Sequence, residues 1–148
     1  MNKKILPPTW LLISILLMIG LHFVIPVATI LPPFWGLLGL IPLALGIAID
    51  YKAHHAFQQA HTPVQPFGKP TTLVTWGAFL FSRNPMYLGF VLILTGVAVL
   101  LGSLAPFLVI IAFYVWIERG YIAFEERALA EAFGPAWLAY KGSTRRWL

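Results

Sequence analysis

The sequence contains no cysteine, so it can build no disulfide framework, no thiolate metal site and no cysteine nucleophile. It is also poor in charge. Asp, Glu, Lys and Arg together make up 10% of its 148 residues, where soluble domains carry about 25%, too few to cover a water-exposed surface. Acids are scarcest: five Asp and Glu face ten Lys and Arg. Such an excess would suit nucleic acid, but the basic residues are strung along the chain beside long apolar runs and form no basic stripe, so nucleic acid is not an expected partner. What is abundant is apolar, with 59% hydrophobic and 15% aromatic residues. Lipid is the solvent this composition suits.

A helix needs about 20 apolar residues to cross the hydrocarbon. Four stretches qualify, from about Leu6 to Ile30, Phe34 to Ile49, Met86 to Leu101, and Leu104 to about Ile117. The first follows Asn2, Lys3 and Lys4 but is long for a signal-peptide core and lacks a small-residue cleavage site, so it reads as a retained span. Spans one and two are joined by Leu31-Pro32-Pro33, and spans three and four by Gly102-Ser103 with Pro106 just after. Both turns are tight and uncharged, which predicts two helical hairpins. The expected fold class is all-α: one integral membrane domain over residues 1–148, a bundle of about four transmembrane helices with interfacial helices at the cytoplasmic face.

All ten basic residues fall on one side of this topology. Lys3 and Lys4 precede span one, Lys52, Lys69 and Arg83 lie between spans two and three, and Arg119, Arg127, Lys141, Arg145 and Arg146 follow span four. The positive-inside rule makes that side cytoplasmic, with both termini inside and a multi-pass topology. The acids Asp50, Glu118, Glu125, Glu126 and Glu131 fall on the same side, so any chemistry that uses a charge belongs there. Trp10, Trp35 and Trp116 lie near span ends as interfacial anchors.

About 35 residues separate spans two and three, a length uncommon for a loop without function. Asp50 to His61 is polar enough to extend a helix, and Pro63, Pro66, Gly68 and Pro70 enforce a loop. Thr71 to Ser82 is neither low in complexity nor charged, which places it in the interface or folded back into the protein. After span four the helical pattern continues through Ala132, stops at Gly134-Pro135 and restarts with Trp137 and Tyr140.

Two constellations could carry chemistry. In Ser82-Arg83-Asn84-Pro85-Met86-Tyr87-Leu88-Gly89, Asn84 is a good N-cap, Pro85 suits the first helical position and Arg83 is a cytoplasmic anchor. The same residues could instead form one wall of a polar pocket at the membrane surface. In the second constellation, Glu118 and Glu125 lie about 20° apart around a regular helix, so two acids share one stripe. A solvated interfacial helix would explain these charges, and so would an acid binding a cationic or hydroxyl-rich ligand. His54, His55 and His61 have no cysteine or well-spaced acid to complete a metal shell, so no metal is expected. His22, inside span one, needs a polar partner.

The segments from Thr72 to Phe79, from Arg83 to Gly89, from Glu125 to Leu129 and from Phe133 to Tyr140 together resemble the isoprenylcysteine carboxyl methyltransferase and phospholipid methyltransferase superfamily. The resemblance covers about residues 64 to 148 and implies a membrane enzyme that moves a methyl group from S-adenosylmethionine to a lipophilic acceptor. It makes residues 64–148 the cofactor-binding core and residues 1–50 a first hairpin. Carried over residue by residue, Thr71, Thr72, Leu73, Val74 and Phe79 line the cofactor, Asn84, Pro85, Met86 and Tyr87 form its Arg-His-Pro-x-Tyr segment, and Glu125 holds it. Arg83 and Glu126 stand as the catalytic pair. Tyr121 occupies the place of an arginine found in the isoprenylcysteine enzymes, with Arg119 the nearest arginine, and both are read as substrate-binding. Asn84 replaces the family's histidine and Phe79 a common tyrosine. Membrane lipids and a lipophilic acceptor are the implied partners. Two other readings remain: a small four-helix transporter or binding subunit, and a family member that has lost its chemistry.

Overall fold

The computed structural model describes residues 5–24, 28–64 and 68–148. Lys3 and Lys4, two of the topology charges, and Pro66 of the loop lie outside them. The chain is all-α: α1 spans Pro7–Val24, α2 Pro33–Gly36, α3 Leu40–Gln59, α4 Pro85–Leu101, α5 Ala105–Ile117, α6 Ala123–Phe133 and α7 Pro135–Ser143. A 3₁₀ turn at Leu37–Gly39 joins α2 to α3, another lies at Gly77–Leu80, and a π turn at Glu118–Ile122 joins α5 to α6. There is no strand among the described residues, only an isolated bridge between Thr29 and Ser103.

Three helices are long and apolar enough to cross a membrane: Pro7–Val24, Pro33–Gln59 and Ala105–Phe133. The fourth expected span, Pro85–Leu101, has 17 residues and reaches about 26 Å at 1.5 Å per residue, slightly less than a typical hydrocarbon core. Large apolar side chains such as Leu16, Leu45, Leu108 and Ile111 stay more than half exposed, as lipid-facing residues do. This is a membrane protein. The helix ends follow local chemistry: Pro85 and Pro135 occupy first helical positions, and Gly102 and Gly134 adopt positive φ at the ends of α4 and α6. The second span runs on through Gln59, as the polarity of Asp50 to His61 suggests.

The chain packs as two compact units. The first comprises Met1–Ile47 and Phe90–Trp116. Its two turns bond to each other: the Ile30 and Leu31 amides donate to the Gly102 carbonyl at 2.8 and 3.2 Å, and the Leu104 amide donates to Ala28 at 3.1 Å. Backbone groups without water must be satisfied in this way. His22 finds its partner in Ser103, with Nδ1 2.8 Å from Oγ. Gly39 and Gly96 allow the backbones to touch, since a Cβ on Gly39 would lie 2.4 Å from the Gly96 carbonyl oxygen. Small residues at such crossings are the usual membrane solution.

The second unit comprises Ala48–Gly89 and Ile117–Leu148. Its core joins Ala53, Ala56, Val74, Phe79, Trp137 and Tyr140, with Leu73 and Met86 packed against them. Phe57 meets Phe79 edge-on at 5.1 Å between ring centroids, and the Tyr140 hydroxyl donates to the Phe79 carbonyl at 2.7 Å. The Thr71–Ser82 segment is therefore anchored inside this unit by its buried apolar residues. Every candidate site residue lies in the second unit.

Candidate functional site

The site is built where the start of α4, the π turn with α6, and the C-terminal tail meet. Pro85 opens α4 and the Leu88 amide donates back to the Asn84 carbonyl at 3.0 Å, which sets Asn84 just before the helix. The backbone N–H of Asn84 donates to Ser82 Oγ at 3.1 Å, a local turn that serine favours. Its side-chain Nδ2 donates at 3.0 Å to the carbonyl of Arg146, and Ser82 Oγ donates to the same carbonyl at 3.2 Å. One face of the motif is thus tied to the tail.

Arg83 is held from several sides. Its amide donates to the Arg145 carbonyl at 2.9 Å, and Nη1 donates to the carbonyls of Lys141 at 2.9 Å and Thr144 at 2.6 Å. Nη2 reaches Glu126 Oε1 at 3.2 Å, and the guanidinium lies over the Trp137 ring at 5.9 Å, within range of a cation–π contact. Only 9% of either side chain is exposed in this pair, so the charges depend on each other.

Glu126 is also held by Arg146, whose Nε reaches Oε1 at 3.1 Å and whose Nη2 reaches Oε2 at 2.5 Å. The remaining arm of that guanidinium, Nη1, meets Glu118 Oε1 at 3.0 Å. Two guanidiniums face two carboxylates, so the cluster is formally balanced. The Glu126 hydrogen bond, with Glu118 adding its charge, pushes Arg146 above its already high ordinary value. The arrangement also revises the acid stripe. A regular helix pairs Glu118 with Glu125, whereas Arg146 bridges Glu118 and Glu126, because the π turn between them adds a residue to the helical register.

That register leaves Glu125 facing the start of α4, where it accepts a hydrogen bond from the Tyr87 hydroxyl. Tyr87 is buried at 6% exposure. The two residues come from motifs 38 positions apart and, like Arg83 with Glu126, join the two constellations directly. An acid oriented by a buried tyrosine can accept from hydroxyl groups or balance a positive charge.

The other expected residues have different surroundings. Val74 and Phe79 are packed in the core, with Leu73 and Met86 against it. Thr72 is half-buried, and the Thr71 amide donates to Thr62 Oγ1 at 3.1 Å while its hydroxyl donates to the His61 carbonyl at 3.3 Å. Tyr121 is buried and Arg119 exposed. Burial pushes the Tyr140 hydroxyl up to about 12, with Arg83 opposing. A groove of about 970 Å³ has Lys52, His55, Trp76, Phe81, Pro85 and Leu88 in its lining. Arg146 was legible in the sequence only as a topology charge. Its position nine residues after Trp137, in a tail rich in arginine, is the one hint that it could fold back.

Residues 34–136 match the family of phospholipid methyltransferases. No curated protein and no solved structure gives a significant match.

Proposed function

Because this chain belongs to the phospholipid methyltransferase family, we propose that it transfers a methyl group from S-adenosylmethionine to a lipophilic acceptor resident in the bilayer. The observation that carries this reading is the Tyr87 hydroxyl on the Glu125 carboxylate, which joins the two motif segments at one spot. The chemistry of these residues fits the cofactor: a carboxylate for its hydroxyl and ammonium groups, with aromatic and apolar residues around it. When bound, S-adenosylmethionine supplies a methyl group on a sulfonium, already activated for displacement.

The protein's share of the work is then alignment and exclusion of water, for which orientation can contribute about 7–11 kcal/mol. Glu125 holds the cofactor and Tyr87 fixes the carboxylate that does so. Glu126 and Arg83 act at one remove, by keeping the start of α4 against the tail. Val74 and Phe79, with Leu73 against them, support the floor of the site from the core, Thr71 and Thr72 lie at its edge, and Tyr121 and Arg119 lie on the acceptor side. Held by Glu125 and Tyr87, S-adenosylmethionine would supply its methyl group to the nucleophilic atom of the acceptor. The groove past Pro85, with Trp76, Phe81 and Leu88 in its lining, is apolar enough to take a lipophilic chain. Residues 64–148 form the catalytic core of a single domain. The topology is multi-pass with both termini in the cytoplasm, so a water-soluble cofactor enters from the cytosol, on the side where the basic residues lie.

The reading is tested by incubating protein reconstituted in bilayers of total membrane lipid with methyl-tritiated S-adenosylmethionine. Radioactivity is expected in the organic phase, reduced at least tenfold for Glu125→Ala. Folded protein that leaves the organic phase unlabelled contradicts it.

A further inference from the structure

We propose that Arg146 is a positioning residue of the methyl-transfer site, a part the fold assigns to the C-terminal tail. This rests on the reading that the cofactor binds beside Asn84, Tyr87 and Glu125. Three independent contacts place Arg146 at the centre of that region. Its backbone carbonyl accepts from both Ser82 Oγ and Asn84 Nδ2, on the residues that lead into α4. Its guanidinium closes on both oxygens of Glu126, the residue next to Glu125. Its third arm reaches Glu118 at 3.0 Å, the first residue of the π turn.

The consequence is mechanical. Glu125 can face Tyr87 only while the π turn holds α6 in its shifted register, and Arg146 bridges one acid before that turn's end and one after it. A planar fork with fixed arms suits this task, because it sets the separation of two carboxylates as well as their charge. Lysine would keep the charge and lose the spacing. Arg83 cannot substitute, since its own Nη1 is committed to the Lys141 and Thr144 carbonyls. The tail thereby couples Asn84 to the acid pair, and Arg146 acts on the cofactor through residues that touch it.

The test is the affinity of the full chain for S-adenosylhomocysteine, measured by calorimetry in detergent, for wild type, Arg146→Ala, Arg146→Lys and the control Arg127→Ala. Arg127 is exposed on α6 and lies outside the cluster. Arg146→Ala and Arg146→Lys are each expected to bind about tenfold more weakly, with the lysine variant keeping the wild-type melting temperature, and Arg127→Ala is expected to match wild type. A lysine variant within twofold of wild type overturns the proposal, because a purely charge-holding or stabilising role would give that result. Should Arg146→Ala fail to fold, the lysine variant alone decides. A wild type that does not bind at all overturns the cofactor reading itself, and the positioning role falls with it.

Discussion

Arg146 grips Glu126 by both carboxylate oxygens, Nε on Oε1 at 3.1 Å and Nη2 on Oε2 at 2.5 Å, while Arg83 approaches Oε1 at 3.2 Å. Three N–H donors thus converge on one carboxylate that is 8% exposed. The acid is committed to holding the tail, which distinguishes it from its neighbour Glu125.

Removing that carboxylate leaves the buried Arg83 guanidinium without the carboxylate that faces it, while Arg146 keeps Glu118. We expect Glu126→Ala to cost about 3–5 kcal/mol, the usual effect of breaking a buried pair. Thermal unfolding in detergent checks this, with Glu131→Ala as the comparison. Glu131 is exposed, and its loss should stay within about 0.5 kcal/mol.

Tyr87→Phe removes the donor that orients Glu125 and leaves the ring in place. The stability cost should be modest, about 1 kcal/mol for one hydrogen bond, while the affinity for S-adenosylhomocysteine should fall about tenfold. A variant that binds as wild type does would assign the tyrosine to packing alone.

Much of this arrangement was legible in the sequence, for local reasons. The helix stop at Gly134-Pro135, the start of α4 at Pro85 and the extension of the second span past Asp50 each follow from the chemistry of a few neighbouring residues, and all are present. His22 was expected to find a partner, and Ser103 is that partner. The π turn was not legible, because Gly120 weakens the helix within Glu118 to Ile122 but does not by itself tell a π turn from an α-helix. The part played by Arg146 was hidden for a similar reason. A basic residue after the last span satisfies the positive-inside rule wherever its side chain points, and only the folded tail brings it 2.5 Å from an acid 20 positions earlier.

The crossing of Gly39 and Gly96 makes a sharper structural prediction. A Cβ on Gly39 would lie 2.4 Å from the Gly96 carbonyl and 2.8 Å from the Leu100 amide nitrogen, both backbone atoms that cannot rotate away. Gly39→Ala should destabilise by about 1–3 kcal/mol through overpacking. Gly20→Ala, whose Cβ would meet nothing within 4 Å, should be neutral or slightly stabilising. Melting temperatures of the two variants side by side check the contrast.

Stability should also depend on pH at the alkaline end. The Tyr140 hydroxyl, raised from 10.0 to about 12 by burial, holds its proton more tightly folded than unfolded. Its contribution is therefore complete below about pH 10 and is lost as pH rises towards 12. Tyr140→Phe should flatten that part of the stability profile while losing the hydrogen bond to the Phe79 carbonyl at neutral pH, a cost of about 1 kcal/mol. Unfolding midpoints between pH 8 and 12 for the two proteins separate the effects.

The most direct measurement is calorimetric titration of S-adenosylhomocysteine into the detergent-purified chain and its Glu125→Ala variant. Saturable binding by the wild type, at least tenfold weaker in the variant, is the result expected if Tyr87 and Glu125 mark the cofactor site. Equal affinities in two folded proteins, or no binding by the wild type, would contradict it.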